Sequence, residues 1–206
     1  PLVTEALRGE ANTPPELHAI LSLEAARQRV ALRQPQRALA LIESSQAVDD
    51  MPAESLGRLA LERGRIYRAL FPDQAPEVLL AVLQAYPSYT DLQEETAEEL
   101  VEAVMDRGTT NDERIIALRT FDATDHGNIA ATAATRLAEG RLLDLQGRVG
   151  EARSAWTRAQ SYSDHAPRLA ALAAFDFAVQ LARFGEFEES IRVYEGVEED
   201  LRERLF

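Results

Sequence analysis

The sequence predicts an all-α fold, a solenoid of about five antiparallel helix pairs. Three observations predict it. Small residues recur at Ala26, Gly64, Ala103, Gly140 and Ala178, at intervals of 38, 39, 37 and 38. Each is followed, after a short turn, by a second helical stretch carrying an apolar stripe at i, i+4 and i+7. Prolines, glycines and capping residues fall between these stretches, and no run of alternating apolar residues marks a strand. A fixed period of this length is the mark of helix-turn-helix units that stack on their neighbours and present an extended surface.

Taken in order, the pairs are expected at residues 16–33 with 35–48, 53–70 with 75–86, 92–107 with 111–123, 128–146 with 149–162, and 166–184 with 187–204. Thr13-Pro14-Pro15-Glu16 puts a hydroxyl at a cap, proline at the first helical position and a carboxylate after it; Thr90 with Gln93 and Thr110 with Glu113 repeat the capping logic. In the first pair, Ala26 is matched by Ala38, Ile42 and Ser45, with Arg29 where the pattern wants an apolar residue. In the second, Gly64 and Tyr67 precede a turn that Phe71-Pro72-Asp73 lengthens, which moves the stripe to Val78, Val82 and Ala85. The third is degenerate: Ala103, then Ile116, Thr120 and Ala123. The fourth is the clearest, with Gly140 and Leu143, a helix end at Gly147, then Ala152, Trp156 and Ala159. The fifth repeats it 38 residues on, with Ala178, Leu181, Gly185, Ser190, Tyr194 and Val197.

The order of a small residue, an aromatic or aliphatic residue three later, a turn, and then a small-large-small stripe resembles the tetratricopeptide repeat, over residues 133 to 199 above all. The resemblance implies a TPR-like right-handed superhelix and a protein-protein interaction scaffold, and the period of about 38 exceeds the usual unit of about 34. The expected organisation is one helical-repeat domain over residues 1–206, a segment of a longer or processed protein, since Pro1 is not an initiator methionine. The first dozen residues read as a fraying end or the tail of an earlier helix. At the other end, Ile191, Tyr194, Val197, Leu201, Leu205 and Phe206 form an apolar ridge without a polar covering helix, which points to self-association through the C-terminal helix.

Composition narrows the partners. The formal charge is −13, and all 22 basic residues are arginine. So acidic a chain disfavours a nucleic-acid partner and docking on an anionic membrane; the lack of lysine fits a high-GC or salt-adapted genome as well as any function. No stretch of about 20 apolar residues offers a membrane span, and no cysteine offers a disulfide, a thiolate metal site or a nucleophile.

Catalytic and metal signatures do not converge. His18, His126 and His165 lie in different repeats, and no His-x3-His pair occurs. Asp122, Asp125, His126 and Asn128 lack the ligand order of a calcium loop and read as a helix connection with capping acids. Gly140, Gly147 and Gly150 have no lysine after them and no strand before, so they form no phosphate loop. Glu94, Glu95, Glu98, Glu99 and Glu102 read as a solvated helical face. No cofactor is implied, and the chain is expected to be non-catalytic. The resemblance does imply a concave groove lined by first-helix residues just after each small anchor and about four later. Those positions are Arg27, Arg65, Val104, Arg141 and Val179, with Arg68, Arg107 and Arg183 from the following turns. Arginines so placed suit capture of carboxylates on an acidic protein or peptide. The alternative is that they pair with acids of the chain itself, such as Glu24, Glu62 and Asp144. The expected function is an interaction scaffold; a ligand-sensing regulatory module, or a helical accessory domain of a cell-envelope assembly or enzyme, are the competing readings.

Overall fold

A computed structural model describes residues 13–123 and 127–196, and among these every regular element is an α-helix. Contacts divide the chain between Ala103 and Val104 into two compact units. The first holds α1 (Pro15–Ala31), α2 (Pro35–Gln46), α3 (Ala53–Leu70), α4 (Ala75–Ala85) and nearly all of α5 (Thr90–Met105). The second holds α6 (Asn111–Ala123), α7 (Ile129–Leu145), α8 (Val149–Gln160), α9 (Pro167–Arg183) and α10 (Phe187–Glu195). Helix ends fall within two residues of the expected ones except for the last helix, which ends at Glu195 where 204 is expected. The ridge residues Val197, Leu201, Leu205 and Phe206 lie outside the described residues. So do Asp125 and His126.

Three of the helix pairs turn the chain in the same way. α1, α7 and α9 each end on one residue in the left-handed region, Arg33 (φ 58), Gly147 (φ 73) and Gly185 (φ 81). The next amide reaches back five residues to close the helix end: Gln34 N–H to Arg29 at 2.8 Å, Arg148 to Leu143 at 2.9 Å and Glu186 to Leu181 at 3.0 Å. A second bond, from the left-handed residue to the carbonyl three before it, completes the Schellman geometry. The turn after α3 is built otherwise, with Phe71 at φ −140 and ψ 64 and no left-handed residue.

This difference corrects the second stripe. Ala75 opens α4 directly, so the buried positions are Ala75, Leu79 and Val82, while Val78 is only partly covered and Ala85 is exposed. The stripe of α6 also shifts: Ile115 and Leu118 are buried, whereas Ile116 and Thr120 face outward. The first and fourth stripes stand as expected, with Ala38, Ile42 and Ser45 fully buried in α2, and Ala152, Trp156 and Ala159 buried in α8. In α10 no residue is buried; Ser190 Oγ donates to the Ala178 carbonyl at 2.7 Å, and Val193 packs on Ala171 and Ala174.

The small anchors set how near two helices come. A Cβ on Gly140 would collide with the Trp156 indole, and one on Gly64 with the Leu79 side chain. Each large residue of a second helix therefore lies directly on the backbone of its first helix. The close seating leaves Trp156 Nε1 buried without a hydrogen-bond partner, a cost the surrounding contact area has to offset. In the first unit, Ala26 meets Ala38 and Ile42 in one core with Ala19, Met51, Leu59 and Ile66.

Caps follow the sequence only in part. Thr110 and Glu113 form the reciprocal box: Glu113 N–H donates to Thr110 Oγ1 at 3.2 Å, and Thr110 N–H to Glu113 Oε2 at 3.1 Å. Thr109 adds its hydroxyl and amide to the same carboxylate oxygen, and together these hold the Glu113 carboxyl down at about 2. At α1, by contrast, the cap position is Pro14 rather than Thr13, with no side-chain cap bond. Gln93 donates to the Leu83 and Tyr86 carbonyls, closing the end of α4. Asn128 caps α7 through Ala131 N–H at 2.8 Å.

Arg33 is the one non-glycine residue in the three shared turns, so Arg33→Gly should raise stability by about 0.5–1 kcal/mol in urea melts; a lower midpoint would refute the strain assignment. Trp156→Ala should cost on the order of 3–5 kcal/mol, and Gly140→Ala should destabilise the native chain yet be tolerated beside Trp156→Ala, a coupling that a double-mutant cycle reads directly. Glu113 titrates below its unfolded value, so its cap contributes above about pH 4.5 and is lost as the pH falls through about 2. Carboxyl NMR should place its midpoint well under that of an exposed glutamate, and Thr109→Val should move it upward.

Candidate functional site

The first-helix faces carry nearly all the arginines singled out from sequence, and the structure shows what holds them. In the first unit Arg27 of α1 reaches Glu62 of α3 through Nε at 3.3 Å. Arg65 joins Glu62 at 3.4 Å, Glu99 of α5 at 2.8 Å and Glu95 at 3.8 Å. Arg68 takes Glu99 at 3.2 Å and Glu102 at 3.4 Å, and Arg58 takes Glu95 at 2.9 Å. The result is an alternating ladder across α1, α3 and α5. Burial alone would lower the Arg65 guanidinium, but its bonds to Glu99 and Glu62 outweigh that and raise it.

The acidic face of α5 is therefore not a solvated one. Glu94 is buried, and Glu95, Glu99 and Glu102 are the receiving side of the ladder. Arg27, Arg65, Arg68, Arg141 and Arg183 all pair with the chain's own acids, Glu62 and Asp144 among them. The pairing runs mostly to the next repeat, 31 to 37 residues away, instead of to i±3 neighbours. Glu24 holds Gln28 instead, at 3.0 Å. Arg107 lies past the end of α5, in a turn where its amide donates to the Val104 carbonyl at 3.3 Å, and Val104 itself is buried.

In the second unit two ion pairs cross between α7 and α9. Arg141 Nε donates to Asp176 at 2.6 Å, while Arg183 reaches back to Asp144. Behind them the buried Gln180 amide donates to Asp144 at 2.6 Å and accepts from Arg153 of α8 at 2.9 Å. Arg153 also holds Glu186 at 2.5 Å and lies 5.9 Å from the Phe177 ring. Its hydrogen bond raises the Arg153 guanidinium and lowers the Glu186 carboxyl. This clasp joins α7, α8 and α9 to the residue that opens α10. A third cluster ties α6 to α7, with the buried Glu139 taking Arg119 at 2.6 Å and Arg136 at 2.8 Å, and Arg136 also bound to Asp122.

Between the two crossed pairs the surface opens into a notch of about 330 Å³, lined by Arg141, Asp144, Leu145, Trp156, Phe175, Asp176, Val179 and Arg183. Its charge is arranged by depth. The side chains of Asp144 and Asp176 keep only 17% and 21% of their exposure, against 56% for Arg183 and 48% for Arg141. The carboxylates lie inside and the guanidiniums outside. Leu145 and Val179 are exposed beside them, while Trp156 is buried beneath. Sequence reasoning named Arg141, Arg183 and Val179 for this face but missed Leu145, Asp176 and the role of Trp156 as floor. The signal was present in the spacing, since Arg27 and Glu62, like Arg141 and Asp176, are 35 residues apart. No described helix is long and apolar enough to cross a membrane.

No family model and no curated protein matches this sequence. Similar solved structures exist. A crystal structure of a Podosopora anserina candidate kinesin light chain with nearly identical TPR-like repeats superposes at a TM-score of 0.47 and 18% identity, covering 94% of this chain and 99% of that one. MamA from AMB-1 gives 0.41 at 18% identity over 88% and 98%, and MamA from MSR-1 gives 0.43 at 17% over 91% and 98%. These superpositions are loose. The all-α, TPR-like character of the chain rests on its own helix pairs, most directly on α3–α4 and α7–α8, where a glycine anchor in the first helix is covered by a large side chain of the second behind a short turn.

Proposed function

We propose that the chain is a non-catalytic protein-interaction module whose first-helix face receives an acidic segment of a partner. The observation that carries this reading is the layering at α7 and α9, where carboxylates face inward and guanidiniums outward in a chain of net charge −13. Arg141 donates to Asp176 through Nε and keeps about half of its side chain exposed, which leaves terminal N–H donors for a partner carboxylate. Arg27 uses Nε on Glu62 in the same way in the first unit. A single exposed pair contributes about 0.2–1 kcal/mol. Recognition within either unit therefore requires several guanidiniums acting together, Arg27 with Arg65 and Arg68 in the first and Arg141 with Arg183 in the second, and Arg107 joins the second set only if the partner extends to its turn.

The existing ladder supports the reading. A guanidinium already fixed by one carboxylate loses less rotamer freedom on meeting a second, so the intramolecular pairs pre-orient the donors. Blocked acidic, neutral and basic peptides of equal length, titrated against the intact chain, should bind in that order, and raising salt from roughly 0.05 to 0.5 M should weaken the acidic ones several-fold. Arg141→Gln with Arg183→Gln should reduce acidic-peptide affinity about ten-fold while circular dichroism stays unchanged. A preference for basic peptides, or binding indifferent to salt and to both substitutions, would overturn the proposal.

A further inference from the structure

The notch between α7 and α9 has a feature that charge capture does not use. Its middle is apolar: Leu145 and Val179 stand exposed between the two crossed ion pairs, over the indole of Trp156. The two inward carboxylates are held by their arginines, and the surface beside them is aliphatic and aromatic. An apolar centre inside a charged rim is the arrangement of an interaction hot spot, where one anchoring side chain supplies most of the binding energy and the rim fixes orientation.

The local sequence explains why the opening is here. The position after the small anchor is arginine at Arg27, Arg65 and Arg141 but valine at Val104, where it is buried, and at Val179, where it is exposed. In the last repeat the arginine stands four residues later, at Arg183, and reaches backward to Asp144 in place of forward. The shift removes a long side chain from the centre of the notch and puts one at its edge. Leu145, which holds the same place in its own repeat as Arg183 does in the next, adds an apolar side chain to the wall.

We infer that this notch seats one large apolar side chain, of leucine or phenylalanine size, from a peptide segment whose flanking residues are acidic. The occupant follows from charge complementarity: the two groups turned outward at the rim are guanidiniums, which favour carboxylates on either side of the anchor, and the volume of about 330 Å³ admits a single large side chain with part of its backbone. The inference rests on the proposed acidic-segment recognition and adds its specificity. Trp156 is the only tryptophan of the chain and lies at the floor, so it reports occupancy directly.

The test uses the intact chain and three blocked pentapeptides: phenylalanine flanked by two glutamates on each side, alanine in the same flanks, and phenylalanine flanked by lysines. The first should change Trp156 emission saturably. The alanine peptide should bind at least about ten-fold more weakly, and the lysine-flanked one more weakly still. Val179→Ser and Leu145→Ser replace exposed side chains, so the fold should persist by circular dichroism, while affinity for the first peptide falls about ten-fold for each. Equal binding of the phenylalanine and alanine peptides would overturn the anchor and leave acidic recognition standing. Preference for the lysine-flanked peptide would overturn the acidic flanks, and with them the proposed function. Failure of every peptide to perturb Trp156 at millimolar concentration, or indifference to both serine variants, would overturn the site itself.

Discussion

The approach of a second helix onto the bare backbone of its first is the constraint from which the rest of this structure follows. Gly140 admits the Trp156 indole and Gly64 admits Leu79 only because neither carries a Cβ. Once that contact is made, the distance between the two helices is set, and the turn joining them has to close within three or four residues. The left-handed residue at Arg33, Gly147 and Gly185 is the solution used three times. Where the turn is built without one, after α3, the covering residue falls 15 positions after its anchor instead of 16, and the whole stripe of α4 shifts by one.

Fixed helix spacing then gives the charges their partners. First helices that repeat every 37 to 39 residues lie side by side within each unit, and an arginine on one finds a carboxylate on the next. Glu62 and Glu139 are nearly buried, and each is held by two arginines. A carboxylate so placed costs several kcal/mol if left alone, so removing one arginine costs more than the pair contributes to stability. The ladder sets register between neighbouring repeats more than it adds stability, and it keeps guanidiniums at the surface of a strongly acidic protein.

Periodicity made the helices, their boundaries and the anchors legible in the sequence, because a small residue over a large one is a local pattern repeated without change of phase. The α4 stripe differs from the expected one because Leu79 covers Gly64 from 15 positions on, whereas Trp156 covers Gly140 from 16, and a shift of one residue turns a helical stripe by about 100°. The fate of Glu95, Glu99 and Glu102 was hidden by reading each helix alone. On α5 they look like a solvated face, and only their separation of 34 to 37 residues from Arg58, Arg65 and Arg68 shows them to be receivers. The notch was invisible for a different reason. It depends on depth, and no spacing says that Asp144 and Asp176 lie beneath the arginines that bind them.

The departures from the repeat shape the surface of the second unit more than its regular positions do. Regular positions are occupied by packing and by the ladder, which leaves them chemically satisfied. Val179, unlike the buried Val104, leaves an exposed gap in the arginine series, and Arg183 restores the tie to α7 from the opposite direction. The net effect preserves the number of ion pairs between α7 and α9 while separating them around an apolar opening. Had arginine stood at position 179, its stem would have covered Leu145 and the floor above Trp156, as long basic side chains do on helix surfaces. The second unit thus keeps the cohesion of the ladder and gains an opening that the regular series would have filled.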